Sequence, residues 1–141
     1  MKKILITGGA GYIGSMLSTA LISEGYKVTV LDNFFFQNYS TLNHLFFYKN
    51  FNLINMDIRN TQRVKKIIKD FDVIIPLAGL VGAPLCEKFK KRTTETNYKA
   101  IKELIDNKKN NQKIIYLNSN SGYGIGKKDA FCDENSPMNP I

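Results

Sequence analysis

The chain has 141 residues, enough for one domain with a real core and too few for two ordinary ones. Hydrophobic residues make up 43%, which excludes a disordered polymer. The formal charge is +8, from 20 basic and 12 acidic residues, but the lysines are scattered with no aromatic ladder between them, so they read as a solvated surface rather than a nucleic-acid interface.

Residues 4–6 are a short apolar run ending in glycines, the pattern of a buried parallel strand. Tyr12, Ile13, Met16, Leu17, Ala20 and Leu21 then recur at helical spacing, and Gly25 is placed to cap that helix. Residues 27–31, KVTVL, are β-branched and predict a second strand. Residues 33–50 form a long connection with a helical turn over 41–48. Residues 52–55 predict a third strand. Residues 61–69 predict a helix with Val64, Ile67 and Ile68 facing inward. Residues 73–75 predict a fourth strand, closed by Pro76. Residues 94–107 predict a long helix with Ala100, Ile101, Leu104 and Ile105 on one face. Residues 113–117, KIIYL, predict a fifth strand, and the rest from Asn118 is Gly-, Ser-, Asn- and Pro-rich loop.

Strands alternating with helices predict an α/β fold: a doubly wound parallel sheet of about five strands with helices on both faces. Such sheets bind ligands at the carboxyl ends of their strands. No apolar run approaches membrane-spanning length, and the basic start stops at Thr7-Gly8-Gly9, too soon for a secretory signal. Cys86 and Cys132 form no C-x-x-C pair, so the expectation is a reduced, cytoplasmic protein with no zinc site. The single histidine, His44, has no ligand-like neighbour.

Gly9-Ala10-Gly11-Tyr12-Ile13-Gly14 satisfies G-x-G-x-x-G between a predicted strand and a predicted helix, and Thr7-Gly8 precedes it. Glycine permits the tight turn and leaves no Cβ between backbone and phosphate. The helix N-terminus offers N–H groups and a positive dipole end to an anion. The turn therefore reads as a pyrophosphate cradle for a dinucleotide. Asp32 ends the second strand, 18 residues after Gly14. A carboxylate there accepts from ribose hydroxyls and repels a 2′-phosphate, and residues 33–37 carry no Arg or Lys to receive one. The cofactor expected is NAD rather than NADP.

With TGGAGYIGS, Asp32, DIR at 57–59, LAG at 77–79 and NSNSGYG at 118–124, the chain resembles the extended short-chain dehydrogenases, within them the NAD-dependent epimerase/dehydratase family that acts on nucleotide sugars. The resemblance runs over the whole chain and implies a Rossmann-like fold. Gly14, one turn in, lets the helix pack close to the sheet; the resemblance implies that Tyr12 and Ile13 line the pyrophosphate, and Gly8, Gly11, Gly14, Asp32 and Asn33 belong to the same expected cofactor site. It places Asp57 and Ile58 at the adenine edge, Leu77, Ala78 and Gly79 beneath the nicotinamide ribose, and Asn97 in support of the nicotinamide side. Ser119, four residues before Tyr123, corresponds to the family's substrate-binding serine, with Ser121 as its rival. A hydroxyl that both donates and accepts suits a carbon cycling between alcohol and ketone. The dehydratases of the family carry Asp-Glu after this position, and the decarboxylase-like relatives usually keep the Glu. Asn120 and Ser121 stand there instead. Epimerase or dehydrogenase chemistry is favoured over dehydration.

The family's catalytic base is a Tyr followed four residues later by a Lys, on a helix after the serine strand. Tyr98-Lys102 precedes that strand, and Tyr123-Lys127 is interrupted by two glycines. In the family an acidic, Pro-containing stretch like residues 133–141 leads into the Tyr helix. The expectation is an N-terminal fragment, residues 1–141, that holds the cofactor without the base or the substrate-binding part. The rival is a stand-alone dinucleotide-binding or regulatory module. The expected partners are a nucleotide-sugar substrate in the complete enzyme and a second copy in a homodimer, with neither nucleic acid nor membrane.

Overall fold

Ile4, Leu5 and Ile6 are all buried, and their alternation divides the interior into two layers. Ile4 and Ile6 pack with Val28, Val30, Val73 and Ile75 on one side of a sheet, and Leu5 packs with Leu31 and Ile74 on the other. Only a strand covered on both faces tolerates three consecutive apolar residues in this way. The computed structural model describes residues 1–126 and 131–140.

The sheet has five strands: β1 (Lys3–Thr7), β2 (Lys27–Asp32), β3 (Phe51–Asn55), β4 (Val73–Pro76) and β5 (Lys113–Ile114). All pair in parallel, in the order β3-β2-β1-β4-β5. Thr7 lies opposite both Leu31 and Pro76, and Asp32 opposite Asn55, so the carboxyl ends of four strands share one edge. The doubly wound parallel sheet expected from the sequence is the one observed.

The helices are α1 (Tyr12–Ser23), α2 (Thr61–Ile67), α3 (Ala83–Lys88), α4 (Lys90–Thr93) and α5 (Ile101–Asp106). α1 and a 3₁₀ segment, Tyr39–Phe47, cover the Ile4–Ile6 side through Ile22, Leu42 and Leu45. α2 and α5 cover the other side through Val64, Ile68, Ile101 and Leu104. α2 begins at Asn60, whose side chain accepts the Arg63 N–H at 3.3 Å. Its tail, Ile68–Asp70, tightens to 3₁₀ geometry.

Four details differ from the sequence expectation. On α1 the sheet-facing stripe is Gly14, Ser18 and Ile22, whereas Tyr12, Ile13 and Met16 are exposed. The small residues let the helix approach closely, and Ser18 Oγ donates back to Gly14 O at 2.7 Å. The helix expected over 94–107 starts earlier, at Lys90, and passes through a π segment, Thr94–Ala100, before α5. The extra residue in a π turn rotates the face, so Ala100, Ile101 and Leu104 are buried but Ile105 is exposed. α3 was not foreseen, although Pro84 in its first turn is a known helix-start signal. β5 is an edge strand of two residues, extended only by the Ile115 N–H donating to Ile74 O at 3.0 Å. Among the described residues no helix is long and apolar enough to cross a membrane. Lys127, of the Tyr123-Lys127 pair, lies outside the described residues.

Candidate functional site

β1 ends in a turn that only glycine can make. Gly8 has φ +71°, and its N–H donates to Leu31 O at 2.8 Å. A Cβ at Gly8 would lie 2.5 Å from Ala78 N, one at Gly9 2.6 Å from Val30 Cγ2, and one at Gly14 2.5 Å from Gly9 Cα. These three glycines therefore serve close packing of turn, sheet and helix. Gly11 differs: a Cβ there would meet only Gly8 O, at 3.2 Å. Gly11 is also the N-cap of α1, with no side chain bonded over the helix end. The first-turn N–H groups of a helix have no carbonyl of their own helix to bond. The exposed Tyr12 and Ile13 and the buried Gly14 are that first turn. A backbone cradle without Cβ atoms at a helix N-terminus suits a phosphate.

The turn is braced from two sides. Thr41 Oγ1, on the 3₁₀ segment, donates to Ala10 O at 2.9 Å. Asp32 Oδ2 accepts the Ala10 N–H at 2.9 Å, and Asp32 Oδ1 accepts the Phe34 N–H at 2.8 Å. Beside the turn, at the carboxyl edge of the sheet, opens a cleft. Of the residues expected at a cofactor site, the fold brings Gly8, Gly11, Asp32, Asn33, Asp57 and Ile58 to this cleft, and with them Leu77, Ala78 and Gly79.

Asp57 sits in a network of charged partners. Arg59 donates to both of its oxygens, from Nε at 3.0 Å and from Nη2 at 2.9 Å, and Asn33 Nδ2 donates to Oδ2 at 2.8 Å. Arg59 also pairs with Glu95 at 3.0 Å, and Arg92 reaches Asp57 Oδ2 at 3.5 Å. Partial burial pushes the Asp57 carboxyl up, but the hydrogen bonds from the Arg59 side chain and backbone and from Asn33 outweigh it and hold it at about 2. In turn, the Asp57 carboxylate, and then Glu95, keep the Arg59 guanidinium more firmly protonated than usual.

Asn97 does not line the cleft. Its Oδ1 accepts the Leu80 N–H at 2.9 Å and its Nδ2 donates to Leu80 O at 2.7 Å, and a Cβ on Gly79 would lie 3.3 Å from Oδ1. It thus clamps the segment after β4 from the π turn. Ser119 is exposed, past β5 and outside the cleft lining, and its hydroxyl hydrogen-bonds that of Ser121. Lys102 is bonded to Asp106, which raises its proton affinity, and Tyr98 is exposed on the same helix.

Sequence reasoning missed several cleft residues. Phe34, Phe35 and Phe36 follow Asp32 directly, and Phe34 takes a left-handed φ of +51°. Arg92 also lines the cleft, with its guanidinium carbon 3.9 Å from the Phe35 ring centroid. The available signal was spacing: Arg92 and Thr96, one helical turn apart, both face the cleft.

The model of the NAD dependent epimerase/dehydratase family matches residues 4–141. Over 126 residues the chain is 29% identical to the UDP-N-acetyl-alpha-D-glucosaminuronate decarboxylase of Bacillus cytotoxicus, covering 89% of this chain and 39% of that protein. It is 31% identical over 144 residues to the UDP-glucose 4-epimerase of Lactobacillus helveticus, covering 99% of this chain and 42% of that one. Among solved structures, the UDP-glucuronic acid 4-epimerase from Bacillus cereus, in complex with UDP-glucuronic acid and NAD, superposes with a TM-score of 0.84 at 28% identity. That match covers 98% of this chain and 46% of the epimerase. The chain thus spans less than half the length of these relatives.

Proposed function

This chain belongs to the NAD dependent epimerase/dehydratase family, and from that premise we propose that it is the NAD-binding part of a nucleotide-sugar epimerase or dehydrogenase. The observation that carries the reading is the cradle: a glycine turn in which Gly11 is the least crowded of the close-packed glycines, at the N-terminus of α1 and on the cleft.

The residues present fit the cofactor. The first-turn N–H groups of α1 and the Cβ-free backbone at Gly11 receive the pyrophosphate. Asp32 spends one acceptor position on each oxygen to hold Ala10 and Phe34. A carboxylate has about four such positions, so it keeps capacity for ribose hydroxyls while its charge repels a 2′-phosphate. Asp57 and Ile58 take the adenine edge. Leu77, Ala78 and Gly79, held in place by Asn97 through Leu80, take the nicotinamide ribose. Bound NAD would supply a reversible hydride acceptor. Ser119 binds the reacting hydroxyl or carbonyl of the sugar in the complete enzyme.

The Tyr-x-x-x-Lys base of the family is not supplied by Tyr98 and Lys102, because Lys102 is engaged by Asp106 and the pair precedes the serine segment. Among the described residues, the chain's own contribution is cofactor binding. Calorimetric titration with NAD and NADP tests the reading. NAD should bind at least about tenfold more tightly than NADP. Absent NAD binding overturns the cofactor site, and equal NADP binding overturns the role of Asp32. Cofactor-dependent turnover by these 141 residues alone would overturn the incomplete-catalyst reading.

A further inference from the structure

We propose that Arg92, with Phe35, forms the adenine-binding wall of this cleft; the inference rests on the NAD reading above. Arg92 stands on α4, distant in sequence from the strand ends that make the rest of the adenosine side. Its guanidinium nonetheless lies over the Phe35 ring, 3.9 Å from the centroid, and reaches Asp57 Oδ2 at 3.5 Å. Both groups line the cleft together with Asp32, Asn33, Asp57 and Ile58.

Neighbouring side chains brace the wall away from the cleft. Phe36 and Phe89 pack edge-on against Phe35, at centroid distances of 5.0 and 5.7 Å. The Phe35 N–H donates to Asn33 Oδ1 at 3.0 Å, and Asn33 in turn donates to Asp57. The Arg92 side chain is 28% exposed. Little side-chain freedom remains to be lost when a ligand arrives, so contacts made here go into affinity.

The chemistry selects a flat, electron-rich base. A guanidinium is planar, stacks on π faces and carries five N–H donors. Adenine offers such a face and ring-nitrogen acceptors. The charge balance argues against a phosphate receptor. Asp57 and Glu95 face Arg59 and Arg92, so two carboxylates already answer two guanidinium groups.

The test uses the full chain and titrates NAD, ADP-ribose, nicotinamide mononucleotide and NADP into the parent, Arg92→Ala, Arg92→Lys and Phe35→Leu. Arg92→Ala should weaken NAD and ADP-ribose by the same factor, about tenfold, and leave nicotinamide mononucleotide unchanged. Arg92→Lys should recover part of the loss, because it restores charge without the plane. Phe35→Leu should weaken ADP-ribose with Arg92 still present, which keeps the proposal testable if one variant folds poorly. Unchanged ADP-ribose affinity in Arg92→Ala on a chain that binds NAD overturns this assignment alone. So does equal loss for both half-cofactors, or parent NADP binding that Arg92→Ala selectively removes. A parent that does not bind NAD overturns the NAD reading and this proposal with it.

Discussion

The carboxylate of Asp32 accepts the Ala10 N–H at 2.9 Å, so the end of β2 holds the glycine turn that follows β1. Its other oxygen accepts the Phe34 N–H and sets the first residue of the aromatic loop. One side chain therefore fixes both flanks of the cleft and presents its charge between them.

Replacing it should show both roles. Asp32→Ala leaves two backbone donors without their partner, and the expected loss is about 1–3 kcal/mol of stability. Asp32→Asn keeps one acceptor oxygen and removes the charge, so it should lose less stability. It should also lower the preference for NAD over NADP by about tenfold. Urea unfolding and calorimetric titration separate the effects. An unchanged cofactor preference in a folded Asp32→Asn variant would count against the discriminating role.

Gly8 and Gly25 both take positive φ, +71° and +83°, but only Gly8 is crowded. Gly25→Ala should cost about 1 kcal/mol of backbone strain and leave NAD affinity intact, since nothing lies within 4 Å of its Cβ position. Gly8→Ala adds a collision with the Ala78 backbone, which must move. The expected result is a larger drop in melting temperature and loss of NAD binding, read by thermal unfolding and titration of the two variants side by side.

These contrasts also mark what the sequence revealed. Ile4 to Ile6, KVTVL and Val73 to Ile75 announced buried strands because strands covered on both faces read as nearly continuous apolar and β-branched runs. On α1 the sequence marks Gly14 as the place where helix and sheet approach closely, but Ser18 also packs by being small, which a hydrophobic pattern does not register. β5 was overestimated because Ile115, Tyr116 and Leu117 are as apolar as a paired strand, yet they are exposed beyond the two paired residues. Arg92 lay in a basic run, Lys88 to Arg92, which has the composition of a solvated face. Only the fold of α4 against the 33–38 loop turns it toward the cleft.

Asn97 grips Leu80 by both its amide N–H and its carbonyl oxygen. Asn97→Ala removes both bonds, with an expected cost of about 1–3 kcal/mol. Asn97→Asp keeps the acceptor but sets a carboxylate oxygen against Leu80 O, where the amide donated at 2.7 Å, so it should cost at least as much as Asn97→Ala. Amide exchange at Leu80 should accelerate in Asn97→Ala more than exchange in the centre of β1. Equal acceleration at both places would mean that Asn97 stabilises the whole fold rather than this segment.

The Asp57 network predicts an acid limb to stability. Its carboxyl is held from an ordinary 3.8 down to about 2 in the folded chain. A depressed carboxyl binds its proton less readily when folded than when unfolded. Its contribution is therefore complete above the unfolded value and is lost as pH falls from about 4 to about 2. Asp57 retains access to water, so solvent screening reduces the contribution to about 1 kcal/mol. Asp57→Asn should lower the urea midpoint at neutral pH and flatten its decline below about pH 4. Arg59→Met should reproduce that flattening, because Arg59 supplies the main hydrogen bonds that hold the carboxyl down. Parallel acid declines in the parent and both variants would place the acid limb elsewhere and remove the Asp57–Arg59 pair as its origin.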